Sequence, residues 1–183
     1  MNEEIQIVPT EPRYVEACAA IAVRAWEPIH ESYKNCIGAD LHDELMPTWR
    51  EEKAQATRDV HANGNAVVAL LGDQVAGYCS YKIEGIAGEI CGNSVSPDMR
   101  GRGIANKLYN RVLDIMREAG CKYATVNTGL DEGHAPARRA YNKVGFEKNL
   151  PTIMYYQRLD PNMEPYAPSS DTVQIVPCEE KYL

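Results

Sequence analysis

The sequence is short of phenylalanine and tryptophan, with one and two respectively in 183 residues, yet it carries eleven tyrosines. An aromatic core must therefore rest on Tyr, whose hydroxyl needs a partner once buried. No apolar run is long enough to span a bilayer, and the polar start, Met1 to Glu4, does not read as a secretory signal. The six cysteines, at 18, 36, 79, 91, 121 and 178, contain no C-x-x-C pair, and several sit inside apolar runs. That spacing argues against a zinc site or a disulfide framework, so no metal is expected and a reducing cytoplasm is the default. Basic residues are outnumbered 19 to 26, for a net charge of −7. A nucleic-acid or membrane partner is not expected, whereas a cationic substrate is compatible.

What is present fits one soluble domain, with 44% hydrophobic and 25% charged residues. Ile5 to Val8 reads as a first strand, and Thr10-Glu11-Pro12 as a helix entry capped by Thr10. Val15, Cys18, Ile21 or Ala22, and Ala25 follow on one helical face, and residues 27 to 62 read as further helix, with Pro47 opening one segment and Asn63-Gly64 ending it. Ala66 to Leu71, Gly72-Asp73 and Gln74 to Ile83 predict a hairpin, and Gly88 to Val95 an extended run stopped by Pro97. Ile104, Leu108, Val112, Ile115 and Ala119 make an apolar helical stripe closed by Gly120. Lys122 to Asn127 predicts a strand and Pro136 to Val144 a short helix, with Phe146 to Lys148 and Ile153 to Arg158 as closing strands. The order β-α-α-β-β-β-α-β-α-β-β is that of a mixed α/β domain over residues 1–159.

Residues 160–172, rich in Pro and Ser, read as a linker. Residues 173–183 then repeat residues 5–15 at six of eleven positions, including Gln-Ile-Val-Pro. Two readings stay open: the start of a truncated second repeat, or a C-terminal edge strand.

The most informative stretch is Val95-Ser-Pro-Asp-Met-Arg100-Gly-Arg-Gly-Ile-Ala105. A strand stopped by proline, a basic glycine-rich loop and the start of an apolar helix aim several backbone N–H groups at one spot, which suits a pyrophosphate. Gly101 and Gly103 permit positive φ, Ala105 keeps the first helical turn slim, and Arg100 and Arg102 add charge. No Gly-Lys-Ser/Thr follows, and no βαβ unit precedes, so neither a P-loop nor a dinucleotide fingerprint fits. Downstream, His134-Ala-Pro-Ala137-Arg-Arg-Ala140-Tyr141-Asn-Lys-Val-Gly145-Phe146 reads as a short helix with a terminating glycine.

Arg100-x-x-Gly103-x-Ala105 resembles the cofactor signature of the GNAT superfamily of acetyl-CoA-dependent N-acetyltransferases. Ala137, Tyr141, Gly145 and Phe146 resemble its second hallmark, with His134 where the family usually has Asn. The resemblance implies an α/β (α+β) GNAT fold, its mixed central sheet splayed between the fourth and fifth strands and flanked by helices. It implies acetyl-CoA as co-substrate, held by Val95, Ser96, Arg100, Gly101, Arg102, Gly103, Ile104, Ala105, His134 and Tyr141. Tyr141 would protonate the leaving thiolate, against a competing role in packing. Glu89 would take the proton from the amine, against a solvated edge carboxylate; on a regular strand it shares a face with Cys91, Asn93 and Val95. His134 would cap its helix, touch the cofactor or shuttle a proton. The implied activity is direct transfer to a primary amine of a small molecule or peptide. The alternative is a non-catalytic acyl-CoA-binding module, and a homodimer is compatible with either.

Overall fold

The structure is a computed structural model in which residues 4–162 are described; the predicted repeat at 173–183 and most of the linker lie outside them. The chain divides into two compact units, Met1–Phe146 and Glu147–Leu183.

In the first unit, β2 (Ala66–Leu71) is buried along its whole length, because both faces of the sheet are covered. Val67, Ala69 and Leu71 enter one layer, Val68 and Leu70 the other, at the period of two that a strand imposes. Around it lie β1 (Ile5–Pro9), β3 (Gln74–Glu84), β4 (Ala87–Val95) and β5 (Tyr123–Val126), in the spatial order β1-β2-β3-β4-β5. The first four are antiparallel, and β5 runs parallel to β4. Gly72 and Gly85, each with φ of 59°, open the two-residue turns of the β2–β3 and β3–β4 hairpins.

One face of the sheet carries α4 (Ile104–Glu118) and α5 (Ala135–Lys143). The α4 stripe is wider than the sequence spacing suggested: Tyr109, Leu113 and Met116 are buried beside Ile104, Leu108 and Val112, while Ile115 is only partly buried. A stripe of about 100° admits neighbours one residue from the strict i, i+4 row. The other face carries α1 (Val15–Ile37), whose Cys18 and Ala22 pack with Tyr14 on Val68, Leu70 and Tyr78. The predicted helix beyond residue 27 is three pieces: α1 runs through Pro28 to Ile37, Gly38 turns the chain at φ 86°, and α2 (Ala39–Leu45) and α3 (Trp49–Ala62) follow. Thr10 does not cap α1; its hydroxyl lies 2.5 Å from His61 Nδ1 and ties the end of β1 to α3.

The closing strands predicted at 146–148 and 153–158 are absent. Phe146 ends the first unit with its ring against Tyr141, and residues 147–160 of the second unit form neither helix nor strand. Residues such as Ile153 and Tyr155 favour extended backbone, but a strand exists only where a partner supplies the ladder, and Pro151 removes a donor.

Two glycines sit where a side chain would collide. A Cβ at Gly77 would lie 2.6 Å from the Ser94 carbonyl oxygen of β4, whereas one at Gly88 would lie 2.5 Å from Met116 Sδ. Backbone in a paired ladder cannot yield, but a methionine end can turn aside. Gly77→Ala should therefore lower stability by about 2 kcal/mol and Gly88→Ala by clearly less. Urea unfolding of both variants checks the order, and a reversed order would contradict this packing.

Between α1, α2 and α3 the filling is polar and aromatic. His30 stacks on Trp49 with centroids 3.7 Å apart, its Nδ1 lies 2.9 Å from His42 Nε2, and His42 Nδ1 lies 2.8 Å from Asp43. Burial, and then the nearby His42, Arg50, Lys53 and Lys34, lower the His30 pKa to about 4. Below an ordinary imidazole value of ~6.5 the unfolded chain takes a proton that the folded chain refuses, so stability falls as pH drops from there towards 4. Calorimetry across that window should show a declining thermal midpoint, with the slope reduced in His30→Phe. An unchanged slope would rule this linkage out.

Candidate active site

β4 and β5 pair only from Ala87↔Tyr123 to Ile90↔Val126. Beyond that point β5 has ended, and among the described residues Cys91 to Val95 leave one edge of β4 without a strand partner, while β3 still pairs on the other edge. The sheet opens where a bulge falls. Ser80 pairs with Gly92 but Tyr81 with Ile90, so Cys91 is an extra residue in β4.

That extra residue reverses the alternation. Gly88 meets Met116 of α4 and Ile90 joins the same layer, yet beyond the bulge Asn93 also reaches α4 and α5. Glu89 therefore lies on the opposite, α1-facing side from Asn93, contrary to the shared face that a regular strand predicts. The Glu89 carboxylate pairs with Lys82 across the ladder at 3.0 Å.

At the end of β4 the Ser96 N–H donates to the Ala76 carbonyl at 2.9 Å, so this amide is spent on the sheet. Pro97–Met99 makes one tight turn, pinned by the buried Met99. Arg100 is extended, and Gly101 and Gly103 take φ of 79° and 78°. A Cβ at either glycine would meet nothing within 4 Å, so the left-handed backbone, not crowding within the chain, is what requires glycine. Gly103 is the N-cap of α4, no side chain caps this end, and the first intrahelical bond runs from the Lys107 N–H to Gly103 O at 3.2 Å. Ile104 is buried and Ala105 packs on the same core, while Arg100 and Arg102 are exposed. The result is a helix mouth with uncapped amides, flanked by two guanidiniums, and it suits a diphosphate.

Tyr141 of α5 is buried, and its hydroxyl accepts a hydrogen bond from Asn93 Nδ2 at 2.8 Å. Asn93 Oδ1 in turn accepts from the Tyr109 hydroxyl at 2.7 Å, and the two tyrosine rings lie 5.1 Å apart. Desolvation raises the Tyr141 pKa, and the Asn93 hydrogen bond offsets part of that rise. Asn93 and Tyr109 were not singled out from sequence as partners of Tyr141; the signals were an amide within a buried strand and a Tyr inside the α4 stripe.

His134 stands at the N-cap of α5 without making a side-chain cap, so the capping role is not realised. Its Nδ1 lies 2.6 Å from Asp131 Oδ1, and its ring sits near Trp26 and Tyr33 of α1, with centroids 5.9 and 6.0 Å away. Asp131 was also missed, although the Asp-x-x-His spacing was visible. No group of three or more His, Cys, Asp or Glu among the described residues is placed to hold a metal ion. Cys18, Cys36, Cys79, Cys91 and Cys121 are free thiols, and no described helix is long and apolar enough to cross a membrane.

A sheet opened after its fourth strand, with an uncapped helix mouth at the opening, defines the frame of an acyl-CoA-dependent acetyltransferase. The chain belongs to the GNAT acetyltransferase family: the model of the "Acetyltransferase (GNAT) family" matches residues 26–146. Solved structures agree on the fold. The aminoglycoside N-acetyltransferase AAC(6')-Iy, in complex with the bisubstrate analogue CoA-S-monomethyl-acetylneamine, aligns with a TM-score of 0.57 at 15% identity, over 85% of this chain and 99% of that one. The PaiA N-acetyltransferase from Thermoplasma acidophilum, in complex with coenzyme A, aligns with 0.57 at 14% identity, over 76% and 88%. A GNAT acetyltransferase from Brucella melitensis, in complex with acetyl-CoA, aligns with 0.53 at 17% identity, over 84% and 97%. No curated protein matches the chain.

Proposed function

We propose that the protein transfers an acetyl group from acetyl-CoA to a primary amine of a small molecule or peptide, by direct attack in a ternary complex. The observation that carries this reading is the uncapped mouth of α4 next to the edge of β4 that no described strand pairs. The amides of Gly101 to Ala105, with Arg100 and Arg102, hold the diphosphate, and the edge ending at Val95 and Ser96 runs beside the pantetheine arm. Acetyl-CoA supplies the acyl group activated as a thioester.

Tyr141 is the acid. Because its oxygen accepts from Asn93, its own proton is left to donate to the departing sulfur, and its raised pKa keeps the phenol protonated at neutral pH. Tyr109, through Asn93, fixes that orientation. An acceptor approaching from the α1 side meets two groups able to take its proton, Glu89 and His134. That a solved structure of this fold carries a CoA–acetylneamine bisubstrate analogue supports a small-molecule amine as acceptor. The exposed thiols of Cys36 and Cys91 suit a reducing cytoplasm.

Thiol release from acetyl-CoA, measured with neamine, spermidine and a short peptide as acceptors, tests the reading. At least one amine should raise the rate above hydrolysis. Tyr141→Phe should lower kcat by about 100-fold or more, and Tyr109→Phe by a smaller factor. Release that no amine stimulates would overturn the proposed reaction, and a fully active Tyr141→Phe would remove the acid.

A further inference from the structure

We propose that His134, backed by Asp131, is the base that takes the proton of the acceptor amine; this rests on the acetyltransferase reading above. His134 is 8% exposed and the Asp131 side chain 9%. Asp131 Oδ1 accepts from His134 Nδ1, which leaves Nε2 on the far side of the ring as the proton acceptor. Asp131 Oδ1 sits against the ring where proton transfer would form an imidazolium, and Asp131 Oδ2 is buried with no hydrogen-bond partner among the described residues.

The loop is built around this pair. A Cβ at Gly129 would collide with Asp131 Oδ1 and His134 Nδ1, and one at Gly133 would lie 2.9 Å from Asp131 Oδ2 and 2.8 Å from Ile29 Cα. Arg138 Nη1 donates to the carbonyls of Gly129 and Asp131 at 2.6 and 2.8 Å, and the Gly133 N–H donates to Ser32 Oγ of α1 at 3.2 Å. α1 packs against both this loop and β4, so the ring belongs to the side from which an acceptor reaches the open edge. Glu89 competes less well, because its carboxylate already holds Lys82. The titratable and charged groups around the ring are Asp131, Glu132 and Arg138 beside it, His30, Tyr33 and Cys36 on α1, and Lys53 of α3 over the Trp26 ring.

In the reaction the amine nitrogen forms its bond to the acyl carbon as His134 Nε2 takes one of its protons. The carbon–sulfur bond breaks, and Tyr141 gives the sulfur its proton. Solvent then returns a proton to Tyr141 and removes one from His134.

The test compares His134→Asn, Asp131→Asn and Glu89→Gln with wild type across pH, using acetyl-CoA and the most active amine of the panel. His134→Asn should lower kcat/KM about 100-fold near neutrality, with the deficit closing as pH rises towards the amine's own pKa. Asp131→Asn should lower it about tenfold. Both should keep the wild-type thermal upshift with coenzyme A. The assignment is overturned if His134→Asn retains wild-type rates, if its deficit is the same at every pH, or if it loses the coenzyme A upshift and so acts as a cofactor contact. It is also overturned if only Glu89→Gln shows the pH-closing deficit. If wild type turns over no amine, the acetyltransferase reading itself fails and this assignment falls with it.

Discussion

The backbone amides at the start of α4 have no acceptor from any side chain that caps the helix, and the rest of the first unit serves to hold them in that condition. A helix N-terminus is ordinarily satisfied by Ser, Thr, Asp or Asn at the cap. Here the cap is Gly103 in the left-handed region, which brings no oxygen and leaves the partial positive charge to an outside anion. The direction of the mouth is fixed from both ends. Met99 is buried below it, and the α4 stripe of Ile104, Leu108 and Val112 is sealed against the sheet, so the turn cannot swing without exposing core.

The second constraint is the bulge at Cys91. One extra residue both marks where β4 parts from β5 and exchanges the faces of the strand, so that Asn93 looks to α4 and α5 while Glu89 looks to α1. The proposed chemistry divides along the same plane. Proton donation sits with Tyr141, Asn93 and Tyr109 on one side, and proton acceptance with His134 and Asp131 on the other. Burying hydroxyls is costly unless each is bonded, and a core with one phenylalanine and many tyrosines meets that demand by hydrogen-bonding them, Tyr109 through Asn93 and Tyr78 with Thr57 at 3.1 Å.

Most of the architecture is legible in the sequence, for a local reason. Gly72-Asp73, Pro97, Gly120 and Gly145 punctuate the chain through backbone geometry that neighbours need not supply, and the elements between them appear as predicted. What the sequence concealed depended on contacts between distant residues. The one local cue to the bulge is Gly92 inside the run Glu89-Ile-Cys-Gly-Asn93, and a regular alternation read through it misplaces the face of Glu89. The Asn93–Tyr141 bond spans 48 positions, and nothing local announces it. Thr10 has the chemistry of a cap but finds His61, 51 residues away, a nearer partner. The strands predicted after Phe146 failed for the opposite reason: their residues are willing, but no ladder forms among residues 147–160.

An anion gripped at the α4 mouth is the contact on which the proposed chemistry depends. Amide chemical shifts recorded while coenzyme A is titrated into the labelled protein address this directly, with the glycine signals well resolved from the rest. The Gly101, Gly103, Ile104 and Ala105 amides should move together and saturate at one dissociation constant. Coenzyme A that binds while those amides stay still, or that does not bind at all, would contradict it.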